Sequence, residues 1–330
     1  IDQSHDTSYT DCMNNMAQQE SPGISVIYQD HYLLVLNKTA GLVIHPTYKH
    51  ADGTMWDALL VELARQGSDG WQPPTLPDMP GWERAPARIR EMLREQQRLK
   101  YIQKEGWLPR PCLLHRLDKD TSGVVALART ERARRHLSRQ FQQHTIVKRY
   151  LAVVGRSAPD WAARQMKVNR HCEDGQIIEV DAAGLWETRD EFTLEGALRR
   201  DPDDRRRCIV DPAGQSAVTV VKTLAVNDSY ALLEARPVTG RTHQIRAHLA
   251  AAGFAIVGDA TYGLTAGEGR PEDLLHRQFL HANSLELHRY PDNVQCTYVA
   301  PLAAELAAWL TNYFPEGMEV VHATSGISAG

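Results

Sequence analysis

The run His115-Arg116-Leu117-Asp118-Lys119-Asp120-Thr121-Ser122-Gly123 is the densest group of reactive side chains in the chain. It puts carboxylates among cations, small hydroxyls and a glycine, ahead of the apolar run Val124 to Ala128. Such a loop can present an ionised carboxylate for catalysis. The same residues also make an ordinary polar turn, with Asp120, Ser122 and Gly123 as turn formers, and the run alone does not choose. A second group is Gly240-Arg241-Thr242-His243-Gln244-Ile245-Arg246-Ala247-His248. On a helix, residues 242, 246 and 249 or 250 share one face and 241, 245 and 248 another, so an arginine here either holds a carboxylate in a cleft or stands solvated at the surface. A third is Lys148-Arg149-Tyr150, at the start of a strand-like run. Residues 129–149 carry seven Arg and Lys against the single acid Glu131. Arg132, Arg135 and Arg139 recur at i, i+3 and i+7, a stripe that fits a phosphate backbone.

The elements that must hold these groups follow from periodicity and caps. Ile24 to Tyr28 and Tyr32 to Leu36 predict a strand pair. Thr54 with Asp57 three residues on predicts a capped helix to Leu63, stopped by Gly67. Residues 66–82 are rich in Pro and Gly and predict a loop. A helix is expected over 86–105, with Arg88, Arg90, Arg94, Arg98 and Lys100 on its polar face, so that 66–110 form a surface excursion. Thr130 caps a helix that turns Ala133, Leu137 and Phe141 inward. Strand-like runs dominate 146–236. THQIRAHLAAAG predicts a helix stopped by Gly253. QCTYVA predicts a strand, and Pro301 starts a helix to Phe314. Regular βαβ alternation is missing, which favours an α+β fold over a doubly wound sheet.

The chain has 330 residues, 42% of them hydrophobic and 24% charged, with a formal net charge of −4. That is a globular composition. No apolar run reaches the ~18–20 residues of a membrane helix, and residues 1–22 have no basic start followed by an apolar stretch, so neither a membrane segment nor a secretory leader is expected. Five dispersed cysteines without a C-x-x-C pair predict free thiols and no cysteine zinc site. Neither a G-x-G-x-x-G nor a G-x-x-x-x-G-K-[ST] loop occurs, so a nucleotide cofactor is not indicated; H-E-x-x-H is also missing.

HRLDKDTSG followed by VVALART resembles the signature of the RluA-type RNA pseudouridine synthases. VLNKTAGLVIHP is similar to that family's N-terminal motif, IVKRYLAVVGR to its tyrosine motif, and PVTGRTHQIRAHLAAAGFAIVGDATYG to its C-terminal motif. The four stand in the family's order and frame the chain from about Ile24 to about Phe314. The resemblance implies a pseudouridine-synthase-like domain with a central mixed, mainly antiparallel sheet flanked by helices. It implies isomerisation of uridine in ribosomal or transfer RNA to its carbon glycoside, without metal, nucleotide or other cofactor and with the base flipped out of its helix.

The roles implied are these. Asp118 matches the catalytic aspartate, acting on the ribose as nucleophile or as base. Arg246 matches the arginine that pairs with it, which favours its charged form. Tyr150 matches the tyrosine that stacks under the base. Arg116 matches a residue that fills the vacated place in some relatives. Arg241, Lys148 and the Arg132, Arg135, Arg139 stripe are candidates for phosphate contacts. His115, Thr121, Ser122 and Gly123 are expected to shape the loop, and Asp120 is the rival carboxylate. Thr39 departs from the family's usual proline in N-K-P-x-G. Only about 22 residues precede the first strand, fewer than the small RNA-binding domain some relatives carry. The expected organisation is a tail at 1–22, one catalytic domain at 23–320 with the insertion at about 66–110, and a tail at 321–330, in a cytoplasmic monomer. The rival readings are a non-catalytic RNA-binding protein on the same fold and a metal-dependent hydrolase using the histidines.

Overall fold

The computed structural model describes residues 23–44, 52–66, 75–157, 165–181, 188–263 and 275–325; the expected tail at 1–22 and the stop at Gly67 lie outside them. In chain order the elements begin with β1 (Ile24–Gln29), β2 (Leu33–Lys38), α1 (Met55–Arg65), α2 (Ala87–Glu105), β3 (Trp107–Leu113), β4 (Ser122–Thr130) and α3 (Glu131–Gln142). They continue with β5 (Val147–Arg156), β6 (Lys167–His171), β7 (Ile177–Glu179), β8 (Glu191–Glu195), β9 (Leu198–Arg200), β10 (Cys208–Val210), β11 (Val218–Val226) and β12 (Tyr230–Pro237). The last are α4 (Gln244–Ala251), β13 (Phe254–Ile256), β14 (Leu280–His288), β15 (Gln295–Val299), α5 (Ala304–Tyr313) and α6 (Pro315–Ser325). The class is α+β with a mixed, mostly antiparallel sheet: nearly all ladders are antiparallel, and β14 pairs β4 in parallel through His281↔Ser122 and Ala282↔Gly123.

The chain forms two compact units. The first comprises Ile1–Lys119, Val124–Thr145 and Leu287–Tyr298. Here β1 and β2 form a hairpin whose turn is held by Asp30, which accepts the amides of Tyr32 and Leu33 at 2.7 Å each. β4 runs beside β2, and β3 pairs antiparallel with β4. Thr54 and Asp57 cap α1 reciprocally, the box that satisfies two otherwise orphan N–H groups. Thr130 caps α3 through the Ala133 amide, and Ala133 and Leu137 are buried while Phe141 is only half-buried. Gly106, in the left-handed region, ends α2.

The second unit comprises Asp120–Gly123, Ile146–Glu286 and Val299–Gly330. Its strands run in the order β14-β5-β12-β11-β8-β6-β7, with β13 also on β5. Phe192, Phe279 and Phe314 are fully buried in its core, with Trp309 edge-on to Tyr230 at 5.0 Å. Gly123 has φ +116, and a Cβ there would overlap the Ala282 carbonyl, so only glycine lets the two strands approach in this register. Two helix boundaries differ from the sequence reading. The helix expected from Pro301 begins at Ala304, because Ala303 is still extended. The chain then breaks at Phe314 and restarts with Pro315, whose missing N–H costs nothing in a first turn. The restarted helix α6 runs through the expected boundary at residue 320.

Candidate active site

Asp118 is half-buried on the loop between β3 and β4, flanked by exposed Arg116 and Lys119 and buried Leu117. What fixes this loop in the first unit is Lys38, which is fully buried at the end of β2. Its ammonium donates to the carbonyls of Thr39 at 2.9 Å, Leu42 at 3.0 Å and Lys119 at 2.9 Å. A buried cation is tolerable only when its donors are spent in this way. The Gly41 amide also donates to the Lys119 carbonyl, at 3.0 Å. The residue next to Asp118 is thus gripped twice. His115 accepts the Ala126 amide at 3.1 Å and stacks on Phe141, so its ring is structural.

In the second unit the continuation of the loop is anchored by buried polar groups. Arg277 donates to the Asp120 carbonyl at 3.1 Å and to the Ser122 hydroxyl at 3.0 Å, and is itself paired with Glu305 at 2.7 Å. Gln278 reaches the Thr121 hydroxyl at 3.2 Å, and the Ser122 hydroxyl meets His281 Nδ1 at 2.9 Å. Burial pushes the His281 pKa down to about 4, so this ring is neutral at pH 7. Asp120 therefore contributes backbone to this anchor.

Arg246 sits on α4 with 6% exposure. Asp259, 4% exposed, takes its Nε at 2.7 Å and Nη2 at 2.8 Å, the bidentate geometry that fixes a guanidinium plane. The Tyr262 ring covers the same guanidinium at 5.0 Å. Asp259 also accepts the amides of Thr261 and Tyr262 at 2.9 and 3.1 Å. The Tyr262 hydroxyl accepts the Cys208 amide at 2.6 Å and meets His243 Nδ1 at 3.1 Å. α4 begins only at Gln244, after His243 in the left-handed region. Arg241 and Thr242 consequently precede the helix, where the sequence reading had placed them on its faces. Gln244 locks that turn, accepting the Arg241 amide at 3.0 Å and the Thr239 hydroxyl at 2.6 Å.

Tyr150 is half-buried on β5, opposite Ala235 of β12 and Ala282 of β14. Lys148, two residues earlier, reaches the Thr239 carbonyl at 3.3 Å, which brings it to the turn that carries Arg241. Desolvation lowers its pKa to about 8. In the first unit Arg132, Arg135 and Arg139 are exposed on α3. Arg135 is paired with Glu131 at 2.7 Å and Arg132 stands 3.9 Å from Glu105, so the stripe is partly neutralised. Of the predicted residues, Arg116, Asp118 and the α3 arginines belong to the first unit, and Lys148, Tyr150, Arg241 and Arg246 to the second.

The family model for RNA pseudouridylate synthase matches residues 32–251, a span that takes in every one of these positions. The chain belongs to this family. It is 30% identical over 308 residues, 91% of its length, to a protein of Xylella fastidiosa named ribosomal large subunit pseudouridine synthase D, and spans 72% of that relative. It is 33% identical over 270 residues, 82% of its length, to an uncharacterized RNA pseudouridine synthase of Chloroflexus aurantiacus, spanning 63% of it. The fold is that of the solved structure named human RNA pseudouridylate synthase domain containing 4, with TM-score 0.54, 21% identity and coverage of 93% of this chain and 97% of that one. As a member of the family the chain is an RNA pseudouridine synthase, an isomerase of uridines in RNA. No described helix is long and apolar enough to cross a membrane.

Three residues of this pseudouridine synthase escaped the sequence reading: Lys38, Asp259 and Tyr262. Each lies inside a motif that the resemblance had marked, VLNKTAGLVIHP or VGDATYG. The sequence signal was therefore present, but the role depends on partners that only folding supplies.

Proposed function

We propose that this enzyme isomerises uridines in ribosomal RNA, with Asp118, Tyr150 and Arg246 as its catalytic residues. The observation that carries the roles is the Lys38 grip on the Lys119 carbonyl: the chain buries a cation to hold still the residue beside one half-buried carboxylate. The Arg246 clamp by Asp259 supports the same reading, since it orients a guanidinium at the cost of a buried charge pair. The ribosomal substrate rests on the name of the Xylella relative.

In the reaction the N1–C1′ bond of uridine breaks, the uracil turns, and C5 bonds to C1′. The C5 hydrogen leaves to solvent and N1 gains a proton, so product and substrate are isomers. Asp118 acts at the ribose, as nucleophile at C1′ or as base on the neighbouring carbon, and both roles need the carboxylate ionised. Arg246 carries the positive charge that favours this form. Tyr150 offers a ring face to the flipped uracil. Arg116 fills the place the base leaves. Lys148, Arg241 and the exposed α3 arginines Arg132, Arg135 and Arg139 meet phosphates. The chemistry draws on no cofactor, and the enzyme works as a monomer in the cytoplasm.

The catalytic domain runs from residue 23 to the end of α6, with 66–110 as an insertion that selects RNA. Mapping pseudouridine on unmodified ribosomal and transfer RNA transcripts, with the unaltered protein and with Asp118→Asn, tests the reading. Sites in ribosomal RNA made only by the unaltered protein are expected. Sites confined to transfer RNA overturn the substrate, and full activity of Asp118→Asn overturns the mechanism. Deleting 70–104 is expected to change which sites are modified; unchanged sites and rates sink the insertion's role.

A further inference from the structure

The hairpin of β9 and β10 lies between the expected motifs and was assigned no role from the sequence. With the turn ahead of α4 it forms a concave surface of about 490 Å³, lined by Arg199, Arg200, Gly214, Gln215, Arg241 and Thr242 among others. We propose that this concavity seats a phosphodiester of the RNA strand that flanks the target uridine, which rests on RNA being the substrate.

Three arginines line this cavity, and they are not equivalent. Arg199 is paired with Asp211 at 2.7 Å, so its charge is spent within the protein. Arg200, exposed at the end of β9, donates through Nη1 to the Arg205 carbonyl at 2.8 Å. Arg241, also exposed, donates through Nε to the Ser216 carbonyl at 3.1 Å. Neither makes an ion pair with a carboxylate among the described residues. Each guanidinium is therefore oriented by a neutral backbone acceptor, and each has further N–H groups in its fork to offer an anion. Long surface arginines usually lose entropy when they bind; these two are already tethered, which lowers that cost.

The backbone is shaped for close approach. No heavy atom lies within 4 Å of where a Cβ on Gly240 would sit, so the turn beside Arg241 is open. Gly214, in contrast, packs against the Leu198 backbone and closes the wall. Cys208 also lines the cavity, and its amide donates to the Tyr262 hydroxyl, whose ring covers Arg246. A phosphate seated here is connected to the Arg246 clamp through that one side chain. An acidic protein segment is the other anion of this charge. The phosphodiester is favoured over it because RNA is the substrate of this enzyme's family. A phosphodiester needs only the two arginines.

The test compares the unaltered protein with Arg200→Gln, Arg200→Glu and Arg200→Lys. Binding of an unmodified large-subunit ribosomal RNA transcript is measured against salt, and melting curves confirm the fold. Arg200→Gln is expected to reduce the slope of log Kd on log salt by about 0.7–0.9, the share of one phosphate contact. It should weaken binding evenly across transcripts. Arg200→Glu should weaken binding further, and Arg200→Lys should restore the slope. An unchanged slope in both Gln and Glu variants overturns the proposal, and it is also the outcome if the cavity takes an acidic protein segment. A Lys variant as defective as Gln overturns the assignment of a charge contact. Binding is read without turnover, so an enzyme that makes no pseudouridine in ribosomal RNA refutes the substrate reading separately.

Discussion

Replacing Lys38 by methionine isolates the loop anchor from the loop itself. Methionine keeps the length and bulk of the lysine stem and removes its three donors. The Lys119 carbonyl would retain the Gly41 amide, but Thr39 and Leu42 would each lose a carbonyl partner. An unsatisfied buried carbonyl costs about 1–3 kcal/mol, so two give about 2–6 kcal/mol. Thr39 is exposed, and water will repay part of its share, which puts the loss near 3 kcal/mol. A domain stable by about 5–15 kcal/mol survives that. The catalytic consequence is separable. A loop released by about 1 Å costs on the order of 10²-fold in turnover, whereas RNA binding, made mostly by phosphate contacts, should hold within about threefold. The assay is single-turnover release of tritium from RNA carrying tritium at C5 of uridine, because that hydrogen leaves when C5 becomes the glycosidic carbon. Urea unfolding and RNA binding are read in parallel. A variant that unfolds at lower urea yet turns over as the parent does would refute the positioning argument, as would equal losses in turnover and binding.

Asp259→Asn places an amide donor or a neutral oxygen against the Arg246 guanidinium. Leaving that buried charge uncompensated is expected to cost about 3–5 kcal/mol in urea unfolding, with a loss in turnover on the order of 10²-fold. Lys148 has its pKa lowered to about 8 by burial, so its charge fades as pH rises through that value. RNA affinity is expected to weaken between pH 7 and 9 in the parent and to hold in Lys148→Arg, as measured by titration at fixed salt. Because the unfolded chain keeps that proton up to about 10.4, the same group adds stability as pH rises across this window. His248, between Thr219 and the Gly196 carbonyl, has its pKa lowered by burial to about 4. The unfolded chain protonates first as pH falls below about 6.5, so stability is lost from there down to about 4. The Tm should fall between pH 7 and 5, and His248→Gln should flatten part of that fall, since His281 titrates alike.

The chain's local rules are legible in its sequence. Thr54 with Asp57 and Thr130 with Ala133 mark their helices by groups three residues apart, and the structure forms both caps. The apolar stripe of α3, the helix α2 and the α+β class follow from periodicity, which reports only which face a residue turns inward. The family was legible too, because four motifs stand in order. Boundaries were less so: His243 in the left-handed region delays α4, and Ala303 delays α5, since a backbone dihedral depends on what the turn must reach.

Only the tertiary structure decided which of the marked residues are buried and what holds them. Lys38 reads as one charge in a strand, yet it is buried because the carbonyl it holds comes from 81 positions along the chain. Arg246 could have been a solvated helix arginine, and Asp259, thirteen residues on, makes it a fixed buried cation. Arg200 and Arg241 meet in one cavity although forty-one residues separate them. In each case the energetics rest on desolvation, and desolvation is settled by the segments that close over a side chain, which no local pattern in the sequence records.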